Sequence, residues 1–300
     1  MSSYFVFLLT LTVQIVLLAQ ATDLLAGHGG RISLAPALFA GVGAYSYAVL
    51  AVRLGWNPWV AFVVGCLIVT SAAMGLGCLL LKLNANGFLI GTFAAQVAFV
   101  DLVNNLNLTG GPLGIRDIPG PKLPFVQSEA TVNSLALLVP ALFISTLVML
   151  KAVGPSSPLG RIYHWIRDDR QSAIAFGIPE KSLLRTAFVV HAVVSGIAGI
   201  GMAVAHTYIA PESFDLWLSL TILTAVFLGG TGGSSLGMIV GGVVLVALTE
   251  LVNALPLRPD MVGAFQQIVL NGCLVGILVF RRRGLAGPII EGGPSAARFE

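Results

Sequence analysis

Long apolar runs recur along almost the whole chain, and they constrain its fold more than any other feature. A helix that crosses a bilayer needs about 20 mostly apolar residues. Runs of this kind cover Tyr4–Ala21, Leu34–Val52, Trp59–Leu81, Phe88–Leu106, Ser134–Val153, Thr186–Ile209, Leu216–Leu228, Gly237–Ala254 and Ala264–Phe280. The expected architecture is an all-α integral membrane protein, a polytopic bundle of about nine spans within a range of eight to ten. Two glycine-rich breaks set that range: Ala26–Ser33 ahead of the second run and Gly229–Ser235 after the seventh. The whole chain, 1–300, reads as a single transmembrane domain. Its opening segment, MSSYFVFLLTLTVQIVLLAQ, has no basic region before the apolar run and no convincing cleavage site after it, as expected of a retained first span.

Composition supports this reading by exclusion. Only 10% of the residues are charged and the mean hydropathy is +0.93, whereas soluble domains carry about 25% charged residues. A water-facing surface cannot be covered with so little charge, so soluble enzymes, disordered chains and nucleic-acid binders are excluded. Glycine is abundant, at 35 residues, which suits close helix approach and broken helices. Cys66, Cys78 and Cys273 all lie in apolar runs and are expected to be buried free thiols.

The few basic residues are unevenly placed. The segment Lys151–Arg185 holds Lys151, Arg161, Arg167, Arg170, Lys181 and Arg185, and the tail begins with Arg281, Arg282 and Arg283. With nine spans, these fall on the same side as Arg31, Lys82 and Arg298, giving 12 basic residues against four opposite (Arg53, Arg116, Lys122 and Arg258). The excess marks the cytoplasmic side. It makes 154–185 a cytoplasmic loop and places the N-terminus and the loop at about 107–133 outside. That outer loop carries Pro112, Pro119, Pro121 and Pro124, so it should be irregular but stiff. Its Asn107-Leu108-Thr109 sequon is expected to be unused.

Catalytic patterns are missing. No lysine follows a glycine, so the chain has no phosphate-binding loop of the G-x-x-x-x-G-K type. His28, His164, His191 and His206 have no metal-ligand spacing. No cofactor and no metal are expected.

The charged loop carries more information. Arg161–Phe176 suits one helix, with Ile162, Trp165, Ile166 and Ala173 at helical spacing, Gly177 as its left-handed cap and Pro179 blocking continuation. The pattern fits either a solvated interfacial helix or a docking helix for a cytoplasmic partner. Inside the spans, polar residues are costly and tend to be functional. Gln96, Asp101, Asn104 and Asn105 share one helix. Gln96 with Asn104, and Asp101 with Asn105, roughly share a face. They either line a hydrophilic path or hydrogen-bond between helices. Gln14, His191, His206, Gln266, Gln267 and Asn271 are weaker candidates, and Glu250 marks a helix end.

Five motifs, taken in order, resemble the LivM/LivH-type permeases of bacterial ABC importers. In the charged loop they are Ser157-Pro158-Leu159-Gly160-Arg161, Ile166-Arg167-Asp168-Asp169-Arg170, and Ala173 with Gly177-Ile178. Elsewhere they are Ser33-Leu34 with Ala37, Phe39, Gly41 and Gly43-Ala44-Tyr45; Leu108-Thr109-Gly110-Gly111-Pro112-Leu113-Gly114-Ile115; Pro211-Glu212-Ser213-Phe214; and Leu228-Gly229-Gly230 with Gly232. The glycine-rich outer-loop motif places the chain nearer LivM than LivH. The resemblance implies a type II importer permease for branched-chain or related amino acids in the inner membrane. Its implied partners are cytoplasmic ABC ATPase subunits, a second LivH-like permease and a periplasmic substrate-binding protein, alongside membrane lipid. Through it, Arg161, Trp165, Arg167, Asp168, Asp169 and Gly177 become ATPase-coupling candidates. Two positions depart from the pattern: Ala35-Pro36 replaces Gly-His, and Gln96 stands at an often acidic position. The competing class is an ion-coupled secondary transporter or channel, with Asp101 as its serious in-membrane carboxylate.

Overall fold

The computed structural model describes residues 2–121, 130–154, 157–232, 235–254 and 259–280. Lys122, Arg258, Arg281–Arg283 and Arg298 lie outside the described residues, as do 122–129 of the outer loop and Gly233-Ser234 of the second break. The side assignment of those six basic residues is therefore not addressed by the fold.

Each apolar run becomes one long helix. They are α1 (Ser2–Asp23), α2 (Pro36–Ala48), α3 (Pro58–Leu80), α4 (Ala85–Asn105), α5 (Ala130–Val148), α8 (Glu180–His206), α9 (Leu216–Gly229), α10 (Ser235–Asn253) and α11 (Pro259–Phe280). Between α5 and α8 lie two short helices, α6 (Pro158–Asp168) and α7 (Arg170–Ala175). Among the described residues, seven helical segments are long and apolar enough to cross a membrane, while α5 carries a shorter apolar stretch, Leu137–Lys151. The chain is an all-α polytopic membrane protein.

Helix starts follow local chemistry. The Asn57 and Asn84 side chains accept from the amides of Trp59 and Gly87, and Asp215 accepts from Leu218. Each satisfies an N-terminal N–H that has no partner within its helix. Pro36, Pro58 and Pro158 fill first-turn positions, where a missing N–H costs nothing. The departure at Ala35-Pro36 is thus a helix start.

The centre of the bundle is the crossing of α2 and α8. A side chain at Gly43 would collide with the Gly196 backbone, and one at Gly199 with the Ala40 backbone. Glycine lets the two backbones touch, as membrane helices require when no hydrophobic force drives them together. Phe39, Tyr47, Phe188 and Ile200 are fully buried around this crossing. By contrast, α3 turns Val63, Leu67, Met74 and Leu79 outward. In a bilayer an apolar residue is equally at home outside, and this corrects the expectation of buried thiols. Cys78 is exposed on α3 and Cys66 and Cys273 are half-buried, although all three are free.

At 27 residues, α8 is roughly 40 Å long, so its ends define opposite faces. Glu180 opens it beside α6 and α7. Beyond His206, Tyr208–Ile209 pairs antiparallel with Ile115–Arg116, a two-stranded patch labelled β2 and β1.

Candidate functional site

At the α6–α7 end, the expected single helix over Arg161–Phe176 is two helices. Asp169 has extended backbone angles (φ −144°, ψ 89°); its amide closes α6 on the Trp165 carbonyl, and its carboxylate accepts from the Ser172 amide at 3.0 Å to start α7. An aspartate that can cap competes with helix continuation. The Ser172 hydrogen bonds hold the Asp169 carboxyl below its ordinary range. Gly177, at φ +82°, ends α7 in the left-handed region.

The pair has two faces. Tyr163, Ile166 and Ala173 are buried, and the Tyr163 hydroxyl donates to the Leu183 carbonyl at 2.9 Å. Trp165, Ile174 and Phe176 are exposed, with the Trp165 and Phe176 rings 5.3 Å apart. Arg161 and Asp168 also face out. Arg167 does not extend freely: its Nη1 donates to the Gly27 carbonyl at 2.6 Å.

Gly27 belongs to the first glycine-rich break. There α1 widens into a π-type turn, Leu24–His28, before an extended stretch leads to α2. Hydroxyls from neighbouring helices satisfy that stretch: Thr92 accepts from the Leu34 amide, and Ser219 donates to the Leu34 carbonyl. Broken backbone at membrane depth needs such partners.

Four charged or titratable residues meet here that the sequence reading had not placed in a site. Asp23 is buried, with Oδ1 accepting from the Gly232 amide at 2.8 Å and Oδ2 3.7 Å from His28 Nε2. Arg31 donates to the Leu83 carbonyl at 2.7 Å and lies 3.7 Å from Glu180. Glu180 is buried and also accepts from Arg170 Nε at 2.7 Å. Burial, then the neighbouring Arg170, pulls Arg31 below its ordinary value, and Glu180 opposes them. One signal was available in the sequence: Asp23 sits two residues past an apolar run, where a charge is costly enough to need a purpose.

One turn along α4 from Thr92, Gln96 is buried and its Nε2 donates to the Phe214 carbonyl. Phe214 packs edge-on against Tyr45, which also meets Phe99. A side chain at Gly41 would strike Phe99 and Phe214. Three motifs separated in sequence, Gly41–Tyr45, Gln96 and Pro211–Phe214, therefore form one cluster. Asn104 is half-buried, while Asp101 and Asn105 are exposed, the Asn105 amide donating to the Asp101 carbonyl at 2.8 Å. The four polar residues of α4 thus divide between an interior pair and an exposed pair.

A bundle of long apolar helices with one helix broken and held by side-chain hydroxyls is the architecture of a multi-pass membrane protein. The chain belongs to the family described as branched-chain amino acid transport system / permease component, whose model matches residues 4–278. It is similar to LivM of Escherichia coli strain K12, a high-affinity branched-chain amino acid transport system permease protein; the two are 26% identical over 92% of this chain and 68% of the relative. LivM of Salmonella typhimurium matches to the same extent. BraD of Pseudomonas aeruginosa, described in the same words, is 26% identical over 56% of this chain and 54% of its own. No solved structure matches. The chain is accordingly a multi-pass inner-membrane permease rather than a catalytic enzyme.

Proposed function

We propose that this permease is one subunit of an ATP-binding cassette importer that moves branched-chain or related amino acids into the cell. Two cytoplasmic ABC ATPase subunits drive it, a second LivH-like permease completes the pore, and a periplasmic substrate-binding protein delivers the solute. The observation that carries this reading is the α6–α7 pair. It offers exposed Trp165, Ile174 and Phe176 on one face and is tied to the bundle by Arg167 and Arg170 on the other. An exposed apolar patch of aromatic residues on a charged helix pair is the kind of surface a protein partner binds. ATP-driven closure of the ATPases would act on this pair and shift the permeases between outward-open and inward-open states. The solute class rests on the family and on LivM and BraD.

The test is reconstitution of the chain with its ATPases, second permease and binding protein in proteoliposomes. ATP-dependent leucine uptake that requires every component supports the reading. Uptake in energised vesicles without ATP or ATPases favours the ion-coupled alternative. That alternative needs a buried carboxylate in the membrane, yet Asp101 is exposed and Asp23 holds the Gly232 amide.

A further inference from the structure

At the α6–α7 end, segments far apart in sequence converge on residues 23–31. Gly27 and Gly232 lie backbone to backbone: a side chain at Gly27 would strike both the Gly232 amide and the Asp23 carboxylate, and one at Gly232 would strike both the Gly27 carbonyl and Arg167 Nη1. The two glycine-rich breaks are therefore one contact, joined by Asp23 (Oδ1 to the Gly232 amide, 2.8 Å) and bordered by Arg167 (Nη1 to the Gly27 carbonyl, 2.6 Å). His164 of α6 stacks edge-on with buried His28, ring centroids 5.2 Å apart. Arg31 extends the same segment to the α3–α4 turn through the Leu83 carbonyl, and to the start of α8 through Glu180.

We propose that residues 23–31 are a mechanical hub, and that Arg167 is the positioning residue through which movement of α6 reaches both glycine-rich breaks at once. This inference rests on the importer reading above.

The physical argument concerns what yields when α6 is displaced. Arg167 is itself exposed, but its guanidinium makes a charge-assisted bond to the buried Gly27 carbonyl, and such bonds are short and strong. The last turn of α6 also packs directly on Gly30, whose Cβ would sit 3.2 Å from Arg167 Cγ. By contrast, Gly30 and Gly232 have left-handed backbone, φ +65° and +68°, and glycines there can change angle at little cost. Rotation at those two glycines is the soft response, so the breaks follow α6 while the Arg167 and Asp23 bonds persist. Transport helices are commonly interrupted where they must move.

The experiment uses the complete importer in nanodiscs, with Cys66, Cys78 and Cys273 replaced and spin labels placed at Q171C on α7 and L236C on α10, both exposed. R167A and, independently, G232A are compared with the parent. ATPase co-purification, leucine taken up per ATP hydrolysed, and the label distance with and without ATP are recorded. If the hub is correct, ATPases stay bound to R167A, the nucleotide-dependent distance change at α10 is lost, and uptake per ATP falls roughly tenfold. R167K recovers part of the loss, and G232A, whose added methyl displaces the Arg167 guanidinium from the Gly27 carbonyl, reproduces it. Uptake per ATP unchanged in both R167A and G232A overturns the hub, as does loss of ATPases from R167A, which would make Arg167 a docking residue. A parent complex without ATP-dependent uptake instead overturns the importer reading, a result distinct from either variant outcome.

Discussion

Glu180 sits between two guanidinium groups, Arg31 at 3.7 Å and Arg170 at 2.7 Å, with its own side chain 4% exposed. Arg31 is equally buried, whereas Arg170 is half in solvent, so the two pairs are not equivalent. Removing the carboxylate leaves Arg31 buried with the Leu83 carbonyl and the Phe88 ring but without an anion. We expect E180L to destabilise the protein by about 3–5 kcal/mol, because an uncompensated buried charge costs far more than the pair contributes. The double variant R31M/E180L should regain most of that loss; thermal unfolding in detergent micelles measures both. Asp169 gives a prediction with a pH sign. Its carboxyl is held low by Ser172, so the cap is fully present above the ordinary carboxylate range and disappears as pH falls through the depressed value. D169A should therefore expose the α7 segment to limited proteolysis at neutral pH, and the parent should acquire the same sensitivity only in acid. D169N should behave like the parent at neutral pH. Equal protease sensitivity of D169A and parent at neutral pH would remove the cap from the account.

Helix-to-helix contact here is governed by small residues. Gly43 and Gly199 bring the α2 and α8 backbones into contact, whereas a Cβ at Gly75 on α3 would meet nothing within 4 Å. G199V is expected to force the central crossing apart, with a loss of about 1–3 kcal/mol or more from overpacking, while G75A is tolerated and slightly favours its helix. Monodispersity on gel filtration and melting temperature should separate the two; equal behaviour would mean that the crossing is not close-packed. The same logic limits what periodicity reveals. Each apolar run identified a helix, and among the described residues seven helical segments are long and apolar enough to span. Which side of each helix faces lipid was hidden, since lipid and interior accept the same side chains. Cys78, apolar in context yet exposed, is the plain example. Charge, being rare, was more legible: the α6–α7 segment stood out at once, although the break at Asp169 did not, because capping and continuing a helix use the same residue.

On the scale of the molecule, the two faces are chemically unlike. One gathers Arg31, Arg167, Arg170 and Glu180 around the glycine-rich breaks, and the other carries Arg116 against Tyr208. From the charge bias we propose that the first face is the cytoplasmic one. In a cysteine-free background, I174C and L113C, both exposed, should react with membrane-impermeant maleimide from opposite sides. Leu113 should label in intact cells and Ile174 only in inverted vesicles. The reverse pattern would overturn the proposed ATPase-facing surface.

The sequence by itself determined the class: apolar length forces membrane helices, scarce charge excludes soluble folds, and five ordered motifs point to the permease family. It could not show that Asp23 and Gly232, 209 positions apart, share a hydrogen bond, nor that exposed Arg167 bonds the Gly27 carbonyl. Those facts depend on how helices pack. A glycine reads the same in sequence whether it faces lipid or another backbone, and a charge reads the same whether it seeks a partner protein or a buried carbonyl. Only the tertiary structure brings the partners together and decides between them.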